Sequence, residues 1–322
     1  MKSFSLIVLI AATVGTSIAG SNGGMAGAFG RVGAGARAKG LGGAYTGVAQ
    51  GAAAIYYNPG ALPFGAGREF TANLSQMALD RTLHYLAFAT PVKPPTGPGK
   101  PAVNAGVGVA WLHAGVSDID ARDFDGLPLD PIDQSSNLFM LGFGVQLHEK
   151  VGVGLTAKMN YDTYGKIGND EASINGNGFG ADAGIFARPL EQLTVGAQVK
   201  DLGVKTTWST TEYWDQGASK ADKWPVQYRF GAAYTYEWLL GAVDIESSQE
   251  SETKLHAGLE AARQITDKQS IAGRVGYDDG AFNFGLGVGF DFWKVHSVLD
   301  LVYTIENIAP NDATTLGWSV RF

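Results

Sequence analysis

The side chains able to do covalent or metal chemistry are few in this chain, and they are not grouped. Cysteine is absent, which excludes thiol nucleophiles, disulfides and thiolate metal sites. The sequence contains no Gly-x-Ser-x-Gly nucleophile elbow. The five histidines are dispersed without the spacing of metal ligands, at His84, His113, His148, His256 and His296. We therefore expect neither an enzyme nor a resident cofactor.

Two segments imitate ligand-binding motifs. Residues 33–38, GAGARA, look like a dinucleotide fingerprint, but no strand precedes them and no βαβ pattern follows. Residues 115–133 carry six aspartates and one arginine, and Ca²⁺ prefers such oxygen-rich loops. The spacing does not match the EF-hand, so we expect a solvated acidic loop and no metal site. The net charge of −7 argues against nucleic acid as a partner.

The N-terminus predicts export from the cytoplasm. Lys2 gives a short positive region, residues 4–14 form an apolar run, and Ser17 and Ala19 are small residues at −3 and −1. We expect a signal peptide over residues 1–19, cleaved after Ala19. The alternative interpretation is a buried N-terminal helix.

From Arg68 onward the dominant period is two, which indicates β-strands. In residues 151–162 bulky apolar side chains alternate with small or polar ones, and residues 282–292 repeat the pattern. About fourteen strands are predicted, at 68–78, 80–92, 101–114, 134–148, 150–164, 178–189, 192–201, 225–236, 237–247, 253–264, 268–278, 281–291, 294–305 and 313–322. The chain is therefore expected to be all-β.

The two faces of these strands favour a transmembrane antiparallel β-barrel over a soluble sandwich. The bulky face is aromatic on nearly every strand and suits lipid, whereas the glycine-rich face suits a lumen. Connections are short on one side, apart from the proline-rich 93–100, and include 115–133, 165–177 and 202–224 on the other, the asymmetry of outer-membrane barrels. Basic residues follow the polar parity, at Lys158, Arg188, Lys200, Arg229 and Arg274. Parity alone predicts that arginine is tolerated better at Thr156 than at Leu155.

Residues 20–67 differ in composition from the strands at 68–322. Glycine and alanine make up 26 of the 47 residues from Ser21 to Gly67. Such a segment cannot build its own core, and its small residues suit close packing inside something larger. We expect an N-terminal plug in the barrel lumen. Its candidate gating residues are Arg37, Lys39, Gly42, Gly43, Tyr45, Tyr56, Tyr57, Asn58 and Pro59.

Charged and aromatic residues give two further expectations. Unpaired charges are costly in a partly dry lumen. Arg37 and Lys39 should therefore meet inward carboxylates, such as those of Asp182, Asp291 and Asp300. The connection 202–224 carries aromatic side chains that would contact lipid, form a collar at the barrel mouth, or bind a ligand or partner. They are Trp208, Tyr213, Trp214 and Trp224.

Residues 37–45, RAKGLGGAY, and 53–62, AAIYYNPGAL, resemble the N-terminal plug of the FadL/PorV superfamily. The resemblance extends to residues 178–203 and to the terminal Phe322, and it implies a fourteen-stranded barrel in the outer membrane of a diderm bacterium. Two departures are Gln50-Gly51, where the family often has acidic residues, and Asn-Pro-Gly at 58–60 in place of Asn-Pro-Ala.

The resemblance implies two functions. FadL-type members carry fatty acids and other hydrophobic small molecules across the outer membrane. PorV- and PorQ-type members belong to type IX protein secretion, where the barrel would dock secreted or surface proteins. The implied partners are outer-membrane lipid and lipopolysaccharide, a hydrophobic ligand and, in the alternative, secretion-system proteins. A barrel of this size would leak if left open, so a plug is also a physical need.

Overall fold

The computed structural model describes residues 24–93, 104–167, 172–210, 217–305 and 312–322. The predicted signal peptide lies outside these residues, as do Tyr213 and Trp214. Among the residues described, none of the helices has the length and apolar character needed to cross a bilayer.

Sixteen strands form one sheet, and fourteen of them, all except β8 and β9, close into an antiparallel barrel. Sequence neighbours pair from β1 to β7 and from β10 to β16, while β7 pairs with β10 and β1 with β16. The strands are β1 Glu69–Met77, β2 Arg81–Val92, β3 Ala105–Ile119, β4 Ile132–His148, β5 Val151–Ile167, β6 Ala172–Ala187, β7 Leu193–Leu202, β8 Lys205–Ser209, β9 Ser219–Lys223, β10 Gln227–Tyr236, β11 Leu239–Ser248, β12 Lys254–Thr266, β13 Gln269–Asp278, β14 Ala281–Phe292, β15 Val295–Ile305 and β16 Ala313–Arg321. The predicted fold and its fourteen barrel strands are confirmed.

The barrel has two unlike ends. The end at which β1 starts and β16 finishes is called the terminal end here, and its connections are short turns except for residues 93–104 between β2 and β3. The opposite end carries the longer connections and is called the loop end. At the terminal end, Arg68 and Phe322 exchange backbone hydrogen bonds of 3.1 and 3.0 Å, which continue the β1–β16 seam.

Strands reach further toward the loop end than alternation predicted. β3 and β4 narrow the predicted loop 115–133 to residues 120–131, and β5 and β6 narrow 165–177 to 168–171. The hairpin β8–β9, within the connection predicted as loop 202–224, joins the sheet through β6. At the loop end the strands remain paired, but their sequences lack the apolar alternation of the middle of the barrel. The sequence alternation therefore stops before the strands end.

The predicted parity is confirmed. Leu155 is 59% exposed on the outside of β5, whereas the next residue, Thr156, is fully buried in the lumen. Large apolar side chains cover the outside of most strands, as Phe284, Leu286 and Val288 do on β14. In a lipid bilayer such side chains gain from contact with hydrocarbon, and the inward groups meet one another.

The glycine- and alanine-rich segment lies inside the barrel. It forms two short helices, α1 Ala36–Gly40 and α2 Ala54–Tyr57, and 3₁₀ turns at Ala28–Arg31, Gly51–Ala53 and Pro59–Phe64. Inward glycines let its backbone lie directly on the wall. A Cβ at Gly276 would collide with the backbone of Gly42, and one at Gly154 would collide with the carbonyl of Pro59. The interior is thus a close fit between two backbones.

Candidate functional site: the plugged lumen

Helix α1 is attached to the barrel through an ion-pair network. The guanidinium of Arg37 donates to both carboxylate oxygens of Glu260, at 2.8 and 2.7 Å. Arg274 donates to Glu260 and to Asp300, each at 2.6 Å. Two arginines thus share one carboxylate, which keeps the buried charges compensated.

The predicted partner of Arg37 needs correction. Arg37 does meet an inward carboxylate, but it is Glu260, which the sequence analysis did not single out. Lys39 donates to the hydroxyl of Ser75 at 3.1 Å. The three named aspartates contact side chains of the barrel wall instead. Asp182 pairs with Lys158 of β5 and Asp300 with Arg274 of β13, while Asp291 lies 2.6 Å from the ring of His296.

The turn that follows α1 is attached to the barrel by backbone groups. Gly42 and Gly43 have φ of 62° and 75°, values that favour glycine. Asp244 accepts hydrogen bonds from the N–H groups of Tyr45 and Thr46, at 3.1 and 2.9 Å. Arg229 donates to the carbonyl of Gly43 at 3.0 Å. In these contacts, side chains of the barrel wall bind backbone groups of the plug. Residue types in the sequence do not predict such contacts.

Tyrosines form the centre of the plug. The Tyr57 ring meets those of Tyr45 and Tyr56 edge-on, at centroid distances of 5.1 and 4.7 Å. Each buried hydroxyl has a partner: Tyr57 accepts from Ala34 N–H at 3.0 Å, and Tyr56 donates to the carbonyl of Gly30 at 2.8 Å. The cluster therefore ties the start of the plug to α2.

Asn58 and Pro59 end α2 and connect it to the wall. The Asn58 side chain accepts from Gly60 N–H at 3.1 Å, and it donates to the carbonyls of Thr46 and Ile185, at 3.1 and 2.9 Å. Pro59 starts the next 3₁₀ turn, where its missing N–H costs nothing. The predicted turn is present, and its asparagine bridges two parts of the plug and strand β6.

The predicted aromatic residues of the connection 202–224 have different positions. Trp224 is buried inside the barrel, at 3% exposure, and is therefore remote from lipid. Trp208 on β8 is half-buried and packs on the ring of Tyr164, with centroids 5.7 Å apart.

One inner wall is apolar, and the sequence analysis did not identify it. Near the loop end, β2–β4 direct large apolar side chains inward, and Met77 of β1 adjoins them. The apolar sector consists of Met77, Leu83, Tyr85, Leu112, Leu138 and Met140, all buried. Weak alternation is its only sequence signal, because strands that are apolar on both faces lose the period of two.

Much of the rest of the lumen is lined by charged side chains. From β5 to β15, the inward positions hold a charged wall made of Lys158, Asp182, Lys200, Arg229, Asp244, Glu246, His256, Glu260, Arg274 and Asp300. A cavity of about 230 Å³ lies below α1, toward the terminal end, and its lining includes Arg37, Glu260, Ser270 and His296. The described residues contain no cluster of His, Asp or Glu able to hold a metal ion.

The fold and this lumen define a class, the plugged transmembrane-type β-barrel, and solved structures are similar to this chain in fold. The P. putida toluene transporter TodX matches with a TM-score of 0.60 at 13% identity, over 90% of this chain and 99% of TodX. The Ralstonia pickettii toluene transporter TbuX matches with a TM-score of 0.59 at 14% identity, over 90% and 98%.

A Pseudomonas aeruginosa FadL homologue matches with a TM-score of 0.52 at 11% identity, over 87% of this chain and 94% of the homologue. No protein-family model matches the chain, and no curated protein matches it in sequence. At these identities the likeness shows the fold. The structural similarity confirms the predicted resemblance to FadL-type barrels as a resemblance of fold.

Proposed function

We propose that this chain transports hydrophobic small molecules, of the fatty-acid kind, across the outer membrane of a diderm bacterium. The observation that carries this proposal is the apolar sector, which gives an otherwise charged lumen one wall that a hydrophobic molecule can follow. Burying apolar cargo there is favourable by about 25 cal/mol per Å². The charged wall offers no comparable surface.

The plug is proposed as the gate of this route. Tyr56 of the plug lies against Tyr85 of the apolar sector, with ring centroids 6.3 Å apart, and this contact supports a closed state in which the plug covers the sector. Opening requires a shift of α2 and the following turn, which hold Tyr56, Tyr57, Asn58 and Pro59. The contacts of Arg37, Lys39, Gly42, Gly43 and Tyr45 would then hold the other half of the plug in place.

The remaining expectations belong to the same proposal. The exposed apolar belt suits surroundings of outer-membrane lipid and lipopolysaccharide. Residues 1–19 would direct export of the chain to that membrane. The solved structures reported above include two toluene transporters, which favours transport over the type IX secretion alternative. We assign no enzymatic step, since the charged side chains singled out in the lumen are engaged with one another or with the plug.

The test introduces a polar group into the apolar sector. In a Gram-negative host that lacks its own fatty-acid channel, expression of the chain should increase uptake of labelled oleate. Leu112→Asn should lower that uptake several-fold, because cargo would have to pass a buried amide. The matched control is Val302→Asn, at a buried inward position on β15, which should retain most uptake.

Folding is checked by the heat-modifiable gel mobility of each variant. Uptake at the level of the empty host would contradict the transport function. Equal uptake by the two variants would contradict the route along the apolar sector.

A further inference from the structure

We propose that Trp224 is a gate residue of the loop end, whose indole occupies the entrance to the apolar sector until cargo displaces it. The inference rests on the proposed transport function, but its geometry is independent of cargo. Trp224 precedes β10 on the connection from β7 and is buried deep enough to touch the plug.

The indole lies in a cradle built from the start of the plug. Gly27 has a φ of 73°, and a Cβ there would collide with the indole ring. A Cβ at Gly30 would lie 3.3 Å from the same ring. Phe29, between them, meets the indole edge-on at a centroid distance of 5.6 Å. Two glycines and one aromatic ring therefore form the plug side of a slot that the indole fills.

Polar contacts hold the indole in this slot. Its Nε1–H donates to the hydroxyl of Thr206 at 3.0 Å, and the backbone N–H of Trp224 donates to the carbonyl of Val204 at 3.1 Å. Arg31 of the plug donates to the carbonyl of the next residue, Pro225, at 2.6 Å. The loop-end connection and the first turn of the plug are thus fastened to each other at one point.

The slot leads directly to the apolar sector. A Cβ at Gly30 would lie 3.3 Å from the indole and 3.7 Å from a methyl group of Leu138, so the indole and the apolar sector meet beside Gly30, where no side chain intervenes. The strand pairs of the barrel wall do not depend on Trp224, which lies between β9 and β10. It can therefore leave without unzipping the barrel. The place it vacates fits a flat, mainly apolar group of about the size of an indole.

Single-cysteine labelling tests the gate, because the natural chain has no cysteine. Leu138→Cys places a thiol in the apolar sector beneath the slot. In detergent-solubilised protein, adding Trp224→Ala should raise its rate of maleimide labelling several-fold. Free indole should slow the labelling again by refilling the slot, as small apolar molecules fill engineered cavities. The matched control is Trp208→Ala. It removes the half-buried tryptophan of β8, on the same connection, and should leave the labelling rate unchanged.

Two further variants keep the outcome decisive. Ser270→Cys in the terminal-end cavity should label at the same rate with or without Trp224. Phe29→Ala loosens the slot from the plug side and replaces Trp224→Ala if that variant does not fold.

Unchanged labelling at position 138 in a folded Trp224→Ala or Phe29→Ala variant, or no effect of indole on it, would overturn the gate. Loss of oleate uptake by the natural chain would instead overturn transport alone, because the labelling experiment contains no cargo.

Discussion

At the scale of single residues, the lumen is organised by buried charges that share partners. Glu260 is the clearest case, because it receives Arg37 from the plug and Arg274 from β13. Removing a carboxylate from such a group leaves two buried guanidinium groups with less compensation. The same change at an exposed pair is nearly neutral, since water and salt replace the lost partner.

Glu260→Gln is therefore expected to lower the free energy of unfolding. The upper limit is about 3–5 kcal/mol, the cost of breaking a buried ion pair. The measurement is the midpoint of thermal unfolding in detergent. Asp291→Asn is the matched control, because Asp291 pairs with His296 in a far more exposed position at the terminal end. Similar midpoints for the two variants would show that Glu260 is not needed to attach the plug.

At the scale of elements, the plug is a chain segment that has no core of its own. Its helices are five and four residues long, too short to be stable in water alone. They persist because the barrel surrounds them and because wall side chains bond their backbone, as Thr156 and Gln198 do by donating to the carbonyls of Ile55 and Tyr56 in α2. The barrel strands, in contrast, pair with one another without the plug.

Deleting residues 21–62 should consequently leave a barrel that inserts but conducts ions freely. Asn58→Ala should raise the leak only mildly. It removes the side chain that joins Thr46 of the plug to Ile185 of β6, while the ion pairs of α1 remain. Planar-bilayer conductance measures both. A deletion variant that inserts normally, yet stays as tight as the parent, would show that the plug does not seal the lumen.

At the scale of the whole molecule, the exterior is an apolar belt closed into a ring. The seam between β1 and β16 completes it, so no strand edge is left unpaired in the belt. A charge placed in the middle of this belt has to reside in hydrocarbon, whereas a charge in the lumen cavity meets polar groups.

Leu155→Arg should accordingly impair insertion, at a cost of roughly 2–4 kcal/mol near mid-depth. Ser270→Arg is the matched control, because Ser270 lines the polar cavity. Quantities of heat-modifiable protein in the membrane fraction report the difference. Equal recovery of the two variants would argue that the exposed belt does not face lipid.

Thr156 shows where parity alone fails. The alternation assigns it correctly to the lumen, and an arginine there was expected to be tolerated better than at Leu155. The structure buries Thr156 completely, beneath the carbonyl of Ile55, to which its hydroxyl donates at 2.9 Å. An arginine at this position would have to displace α2, so we expect it to disturb the plug.

The sequence by itself determined the barrel, its strand number, the faces of its strands and the small-residue segment that fills it. Those features follow from local period and composition, which each stretch of chain carries alone. Tertiary structure alone decided that Arg37 meets Glu260, that β2–β4 form one apolar wall, and that Trp224 lies on Gly27 and Phe29. Such contacts join residues far apart in the chain, and closing the ring and inserting the plug is what brings them together.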